Sequence, residues 1–532
     1  MPAFRSFARA VFLFSVVAGL SLPARSQNAN PTTTTLRVAS NLVFLDVTVV
    51  DRKGQPVVTG LTKDDFAITE NGKPQPIFSF DAPATGAKTA ESAPATILVL
   101  DLMNTPSADS AYVRDSIRRY LALQPKRLQS PTELMVLNNT TLDLVQAYTH
   151  SRGDLVVALN HVPPATPYKL GSHQFGGWVD QRLSQSIEAL QQIALQNKGL
   201  SGRKNILWVG YGGPGIAIDP ADPRYDKDLR FYAHGTTNML VGARISLFLI
   251  HPGLQGGGNP DVFRIEGERV QTGADLYGVD PFAGTINFGL FIHGTGGRLF
   301  SQRNDVDIAM TEAQELGSNY YTLTYQPKTG EDNGEFRKIE VVLHDPNLRA
   351  VTKTGYYAPE PTMKTDSNPY SVDPMYEIEE AAQSEVPFDS LGMSLVHVAR
   401  HPDSETVELT TLLKSTHLRW QAMDDGRSAA NITIAAVSLS KQRGILASRL
   451  RRLTIFSNSQ DPAQLSASNT LVIITVPVPR RTESVRVVIL AQDGGQAGAL
   501  ELEHKVLTSA PGSPTPEPQL QPRPGVTLQQ RP

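Results

Sequence analysis

Residues Ala95–Thr105 read ATILVLDLMNT, and this stretch decides the fold class. Its first six residues are apolar apart from one threonine, as expected for a strand that is buried on both faces of a sheet. Two similar runs follow, NILWV at Asn205–Val209 and RISLFLI at Arg244–Ile250. Because helices cover both faces of a parallel sheet, strands of this kind are typical of parallel sheets.

The segments between these strands have the period of amphipathic helices. In Ser110–Leu123, the residues Val113, Ile117, Tyr120 and Leu121 lie on one helical face. Further helices are predicted near 180–196, 236–242, 285–294 and 305–316, and a hairpin at 133–148. Strands that alternate with helices predict an α/β domain with an open, mostly parallel sheet and helices on both faces.

Shorter strands with alternating apolar residues flank this domain. Val43, Leu45, Val47 and Val49 alternate with other residues, and Asn71-Gly72 has the signature of a hairpin turn. Strands predicted at 320–325, 338–343 and 351–357 finish or extend the α/β domain. The predicted organisation is a signal peptide (1–26), an N-terminal β-module (36–82), the α/β domain (94–358), a linker (359–387), a C-terminal β-sandwich-like domain (388–508) and a disordered Pro/Gln-rich tail (509–532).

The first residues predict export. Arg5 and Arg9 precede the apolar run at 10–22, and Ala24-Arg25-Ser26 matches the small-x-small pattern of a signal peptidase site. The protein is therefore expected in the periplasm or outside the cell, with no membrane span after cleavage. A retained membrane anchor is the alternative.

Composition excludes several classes of function. The chain has no cysteine, so disulfides, thiol catalysis and cysteine-based metal sites are impossible. The formal net charge of -3 provides no basic field for nucleic acid. The G-x-S-x-G and H-E-x-x-H motifs of hydrolases are also missing from the sequence. We expect no catalytic residue.

Ligands of open α/β sheets bind beyond the carboxyl ends of the strands. Asp101, Gly210 and His251 follow the three buried strands. Hydroxyl and amide oxygens come next after the first strand, at Asn104 and Thr105, and these are ligands that suit hard cations. The edge formed by these strand ends is therefore the predicted binding site.

Residues 41–357 as a whole resemble the von Willebrand factor A-related domain of acidobacterial exported proteins. The resemblance runs through VTVVDRKGQPVVTGLTKDDFAITENGK, DLMNT, GRKNILWVG, TGGRLF, SNYYTLTYQP and TKTGYYAP, in this order. It implies a binding or adhesion domain without an established catalytic role. It also implies a Mg²⁺ motif in which a strand-end Asp is followed by two hydroxyl residues. Asp101 and Thr105 match this motif, whereas Met103 replaces the first hydroxyl with a thioether.

Two interpretations of this strand end stay open. Asp101, Asn104 and Thr105 form a weakened site for Mg²⁺ or Ca²⁺, or Asp101 caps a loop in which Asn104-Thr105-Pro106 is a turn. In either case we expect a protein or cell-surface partner to bind at this edge. The residues predicted to contact the partner are Asp101, Met103, Asn104, Thr105, Gly212 and Gly213. A hydrolase with an unrecognised site on the same edge, and a structural envelope component without a site, are the alternative functions.

Overall fold

The computed structural model describes residues 42–83, 94–164, 175–217, 221, 227, 229–252, 265–266, 269–270, 280–282, 285–327, 332–360, 369–370, 372–401, 405–492, 496–509 and 526–530. The predicted signal peptide at 1–26 lies outside these ranges. Within them, no helix is both long enough and apolar enough to cross a membrane.

The first eighteen strands are β1 (Val43–Val50), β2 (Phe66–Glu70), β3 (Lys73–Gln75), β4 (Ile77–Asp81), β5 (Ala95–Asp101), β6 (Arg127–Leu137), β7 (Leu142–Ser151), β8 (Lys204–Val209), β9 (Ile216–Ala217), β10 (Ile245–Pro252), β11 (Ile265–Glu266), β12 (Arg269–Val270), β13 (Thr285–Ile286), β14 (Arg298–Arg303), β15 (Tyr321–Tyr325), β16 (Phe336–Leu343), β17 (Arg349–Val351) and β18 (Gly355–Tyr357). The others are β19 (Met393–His401), β20 (Thr406–Lys414), β21 (Gln421–Ala422), β22 (Ser428–Leu439), β23 (Ile445–Ser457), β24 (Asn469–Pro477), β25 (Ser484–Ala491), β26 (Ala497–Glu503) and β27 (Val526–Gln530). The helices are α1 (Ser107–Leu123), α2 (Arg152–His161), α3 (Phe175–Asn197), α4 (Gly235–Gly242), α5 (Phe288–Gly294), α6 (Val306–Ser318), α7 (Pro374–Gln383), α8 (Pro462–Ala467) and α9 (His504–Ser509).

Six strands form the central sheet, in the order β14–β10–β8–β5–β6–β7. Neighbouring strands are parallel except for β6 and β7, which form an antiparallel hairpin. The sheet is therefore mixed. The three apolar runs that predicted buried strands are β5, β8 and β10, and they lie side by side inside this sheet. The prediction of these strands is confirmed.

Helices cover both faces of the central sheet. Along β5, Ile97 and Val99 enter one apolar core, whereas Leu98 and Leu100 enter another. This alternation follows from the two-residue period of a strand. Helices α3, α4 and α5 contribute to the first core, and α1, α2 and α6 contribute to the second. The prediction of an α/β class is confirmed at the level of a mixed α/β fold.

Strands β15, β16 and β17 pair with the N-terminal strands, β18 pairs with β16, and none of the four extends the central sheet. The two sheets that they form have the orders β17–β1–β15–β4 and β18–β16–β2–β3. Val43 lies opposite Tyr325, and Phe66 lies opposite Leu343. This pairing corrects the prediction that residues 320–357 finish or extend the α/β domain. The alternating pattern of a strand predicts its buried face, but it does not identify its partner strand.

The predicted linker at 359–387 contains helix α7, which is packed and not extended. The Asp373 side chain caps the helix by accepting a hydrogen bond from the backbone N–H of Met375 at 2.8 Å, and Pro374 takes the first helical position. Ile378 is buried in the same core as Leu190 of α3 and Val488 of β25. Helix α7 therefore connects the α/β body to the C-terminal strands.

The C-terminal strands form two sheets around a shared core. Their orders are β19–β20–β24 and β26–β25–β22–β23–β27, with β21 paired to β22. Leu409 of the first sheet and Ile434 of the second lie in one apolar cluster. Strand β27 comes from the predicted disordered tail, yet Leu528 lies opposite Ile455 in a regular ladder. That part of the tail prediction is corrected, and residues 510–525 lie outside the described residues.

Glu133 on β6 makes stability depend on pH. Its side chain is fully buried, and burial raises its pKa from 4.5 to about 8. Because the folded protein holds a proton that the unfolded chain releases, the free energy of unfolding should fall as pH rises from 4.5 to about 8. The slope from this group is at most about 1.4 kcal/mol per pH unit.

Urea unfolding between pH 5 and pH 8 measures this slope. We expect Glu133→Gln to reduce it, since glutamine cannot lose a proton, whereas Asp64→Asn at an exposed position should leave it unchanged. An equal slope in Glu133→Gln and the parent protein would contradict the assignment.

Candidate functional site

The ends of β5 and β8 meet at one edge of the central sheet. The two strands are parallel, so their last residues, Asp101 and Val209, lie at the same edge. The ladder continues one residue further, where Gly210 donates its N–H to the carbonyl of Ile250 on β10 at 3.1 Å. We call this the strand-end edge.

The Asp101 carboxylate is fully buried at this edge and accepts hydrogen bonds on both oxygens. Oδ1 accepts from the backbone N–H of Asn104 at 2.8 Å. Oδ2 accepts from Trp208 Nε1 at 2.9 Å and from the backbone N–H of Gly212 at 3.1 Å. The side-chain amide of Asn104 also donates to both oxygens, at 3.2 and 3.0 Å. Asp101 therefore ties the loop after β5 to the loop after β8.

Arg182 fixes the orientation of the Asn104 amide. Its Nε donates to Asn104 Oδ1 at 2.9 Å, and its Nη2 donates to the Asn104 carbonyl at 3.1 Å. The Nδ2 group, on the other side, donates to Ser186 Oγ at 3.0 Å. A flipped amide would point its oxygen at the Asp101 carboxylate and its N–H groups at Arg182, so the network permits only this orientation.

The close approach of the two strand ends explains why residue 210 is a glycine. This residue has φ of +146°, and a Cβ atom there would lie 2.5 Å from Thr105 Oγ1 and 2.7 Å from Asp101 Cβ. Thr105 Oγ1 in turn accepts from the backbone N–H of Tyr211 at 3.3 Å. Only glycine can therefore follow β8 without separating the two loops.

The neighbours of Asp101 suit its ionised form. Burial raises the pKa of Asp101, and hydrogen bonds from Asn104 and Trp208 together with the charge of Arg182 oppose part of that rise. The hydrogen bonds described above all come from N–H groups. A protonated oxygen would face a donor instead of an acceptor, so we assign the carboxylate form.

This geometry does not fit a hard divalent cation. Such an ion needs several oxygen atoms directed at one point. Asn104 presents its N–H₂ group to Asp101 and gives its oxygen to Arg182, while Met103 lies in the apolar core. In the described part of the chain, no three His, Asp or Glu side chains are grouped to hold a metal. The residues of the predicted metal site are thus brought together, but as a hydrogen-bonded network.

The six residues predicted to contact a partner are all buried. They are Asp101, Met103, Asn104, Thr105, Gly212 and Gly213. Direct contact with a partner is therefore not available to them in this conformation, which corrects the prediction. The exposed or partly exposed residues next to them include Ser107 and Arg182, and a partner at this edge would meet these.

His251 lies in β10 near the same edge; the sequence predicted it at a strand end, but it was not among the residues predicted to bind a metal or a partner. Its ring is 4.3 Å from the ring of Tyr211, whose hydroxyl donates to Asp109 at 2.8 Å. Burial lowers the pKa of His251, and the charges of Asp101 and Asp109 oppose that shift. Its Nδ1 is buried with no partner among the described residues. A histidine and two aspartates therefore lie close together here.

Three further members of the network, Arg182, Ser186 and Trp208, were not predicted from the sequence. Trp208 lies within a buried strand, where it resembles any other core residue. The one sequence signal was that a buried indole N–H needs a hydrogen-bond acceptor nearby. Arg182 and Ser186 lie four residues apart on α3, on one face of the helix. That spacing carries no information about Asn104, which is 78 residues away from Arg182.

Comparisons with known proteins add little. No family model matches the chain, and no curated protein matches it. Among solved structures, the VWA domain of SpRpn10 is similar at 15% identity and a TM-score of 0.19, covering 31% of this chain and 77% of that domain. The human COPII-coat protein Sec24c is similar at 9% identity and a TM-score of 0.25, covering 52% of this chain and 46% of its own.

Proposed function

We propose that this chain is an exported, non-catalytic interaction protein with an open, mostly parallel von Willebrand factor A-like sheet that binds a protein or cell-surface partner at its strand-end edge. The support is the position of the Asp101 network at the carboxyl ends of adjacent parallel strands, where ligands of open α/β sheets bind. The buried hydrogen bonds of Asp101 hold the loops after β5 and β8 in one conformation. A fixed edge loses little entropy when a partner binds.

The position of Arg182 and the fixed orientation of its side chain are the observation that carries this proposal. Arg182 is a partly exposed residue, and its guanidinium is held by two hydrogen bonds to Asn104. A guanidinium in a fixed orientation recognises carboxylates well, because its planar fork matches their two oxygens. Arg182 therefore places a positive charge at the edge where the related domains are expected to place a metal ion.

Site-specific photo-crosslinking in the producing cells tests the proposal. A photoreactive residue at Ser107, exposed beside the strand-end edge, should give a discrete crosslinked product. The same residue at Arg52, exposed in the turn after β1, should not. Arg182→Gln should abolish the product at Ser107, and chelation of divalent cations should leave it unchanged.

The outcomes separate the proposals. Absence of any product at Ser107 in a folded protein would favour the structural envelope component. A product that disappears on chelation would contradict the metal-free interpretation.

A hydrolase is the second candidate, and His251 favours it. This histidine lies near Asp101 and Asp109, and a histidine beside carboxylates is a common arrangement in hydrolytic sites. Against this candidate, Asp101 already uses both oxygens in hydrogen bonds to the loops. Hydrolysis of a panel of ester and peptide substrates that is lost in His251→Ala, in a protein of unchanged stability, would favour the hydrolase.

A further inference from the structure

A small cavity lies at the opposite edge of the central sheet, where β10 begins. It separates β1 of the N-terminal sheet from the start of β10 and the segment before β18, and it has a volume of about 20 Å³. That volume holds one water molecule or one monatomic ion. The residues around it that matter here are Asp46, Arg244, Ser246, Thr295, Thr352 and Lys353.

Positive charge exceeds negative charge around this cavity. Lys353 lines the cavity and is 7% exposed, and Arg203 and Lys204, which lie outside the lining, are each 1% exposed, so three cationic side chains are almost completely buried. A fourth, Arg244, is partly buried and binds Asp46 through both oxygens of the carboxylate. The charge of the Asp46 carboxylate raises the pKa of all four cationic side chains. Its single negative charge is already matched by Arg244.

The other three cations bond to neutral groups. Lys353 Nζ donates to the Tyr370 hydroxyl, and Arg203 Nη1 donates to Thr48 Oγ1 at 3.0 Å. Lys204 Nζ donates to two backbone carbonyls, those of Leu200 and Gly202. These bonds satisfy some of the donors, whereas Arg203 Nε is buried with no partner among the described residues, and none of the bonds supplies an opposite charge. Buried charges without a counterion are costly.

Ionisation in this region reflects the excess of positive charge. Burial is the largest cause that lowers the pKa of Lys353 and of Lys204 to about 7; the charge of Arg244 acts in the same direction, and the charge of Asp46 opposes it. The pKa of Asp46 is also low, because Arg244 outweighs the opposing effect of burial.

Thr352 supplies a second, independent observation. Its hydroxyl oxygen is buried with no partner among the described residues, and the residue lines the cavity. Buried polar groups are nearly always hydrogen-bonded, so an orphan hydroxyl beside an internal space indicates something bound in that space. A hydroxyl can donate to an anion as readily as to water.

We propose that the cavity binds a monovalent anion of the size of chloride, held by the Lys353 ammonium and the Thr352 hydroxyl with Arg244 nearby. The anion neutralises buried positive charge and gives the Thr352 hydroxyl an acceptor. The site is thus structural and lies at the edge of the sheet opposite to the proposed partner-binding edge.

Thermal unfolding of the full chain at constant ionic strength tests this site. We expect the melting temperature to rise by about 2 °C when sodium chloride replaces sodium gluconate up to about 200 mM, because gluconate is too large for the cavity. Lys353→Met should lose this rise and should melt no lower than the parent in gluconate, since methionine needs no counterion. Lys53→Met, at an exposed position, should keep the rise.

The proposal would be overturned by a melting temperature that does not change when chloride replaces gluconate, or by a chloride-dependent rise in melting temperature that persists in Lys353→Met. If Lys353→Met does not fold, crystals of the parent protein soaked in sodium bromide decide the matter. Anomalous scattering should place a bromide beside Lys353 and Thr352. Bromide at surface positions only, with none in the cavity, would also overturn it.

Discussion

Gly297→Ala should destabilise the protein by about 3 kcal/mol or more, the largest loss that we expect from adding one methyl group. A Cβ atom at Gly297 would lie 1.8 Å from the carbonyl oxygen of Leu247 and 2.6 Å from its carbonyl carbon. Both are backbone atoms of β10, so no rotation of a side chain can relieve the contact. The edge strand β14 would have to move away from β10, and this would break part of their ladder.

Gly294→Ala is the matched control, because it adds the same methyl group three residues earlier. A Cβ atom there meets nothing within 4 Å, and Gly294 lies in helix α5. Alanine should therefore be neutral or stabilise the protein by up to about 1 kcal/mol. Urea unfolding of both variants measures the difference. Similar midpoints for the two would mean that β14 is not packed against β10 as described.

Asp101→Ala should reduce the free energy of unfolding by about 3–5 kcal/mol, in the presence or absence of divalent cations. The substitution removes the acceptor of the Trp208 indole N–H and of the backbone N–H groups of Asn104 and Gly212. Each buried donor left without a partner costs about 1–3 kcal/mol. A carboxylate that served only as a metal ligand would behave differently, since its removal from the metal-free protein would cost little.

Asp64→Ala provides the comparison, because Asp64 is an exposed carboxylate in the N-terminal module. Its removal should change stability by no more than about 0.5 kcal/mol. Calorimetric titration of the parent with Mg²⁺, Mn²⁺ and Ca²⁺ completes the test, and we expect no saturable heat. Saturable binding that Asp101→Ala abolishes would restore the metal site.

The sequence predicted the centre of the fold because local patterns determine it. The strands β5, β8 and β10 are continuous apolar runs, and burial on both faces is what such runs require. Helix α7 was assigned to a linker because its surroundings are rich in Pro, Asp and Glu. Yet Asp373-Pro374 is a helix-start signal, in which an Asp cap precedes a proline at the first helical position.

The candidate site shows a different limit. Asp101, Asn104 and Thr105 were predicted to act together, and the structure does bring them together. Their chemistry could not be predicted, because the same residue types can direct oxygens at an ion or hydrogen-bond to one another. Arg182 decides between the two by binding Asn104 Oδ1, and this contact depends on the packing of α3. Contacts between distant segments of this kind leave no local pattern in a single sequence.

The pairing of β1 with β15 imposes an order on how the chain can fold as it is made. The hydrogen bond between Asp46 on β1 and Thr322 on β15 cannot form until 276 further residues have been synthesised. At ribosomal speeds of about 5–20 residues per second, that delay is on the order of 14 to 55 seconds. Throughout it, β1 presents apolar residues with no partner strand, as a target for chaperones or for aggregation. The N-terminal module is therefore the first part of the chain to be synthesised among the described residues, yet it cannot be completed until the α/β body has emerged.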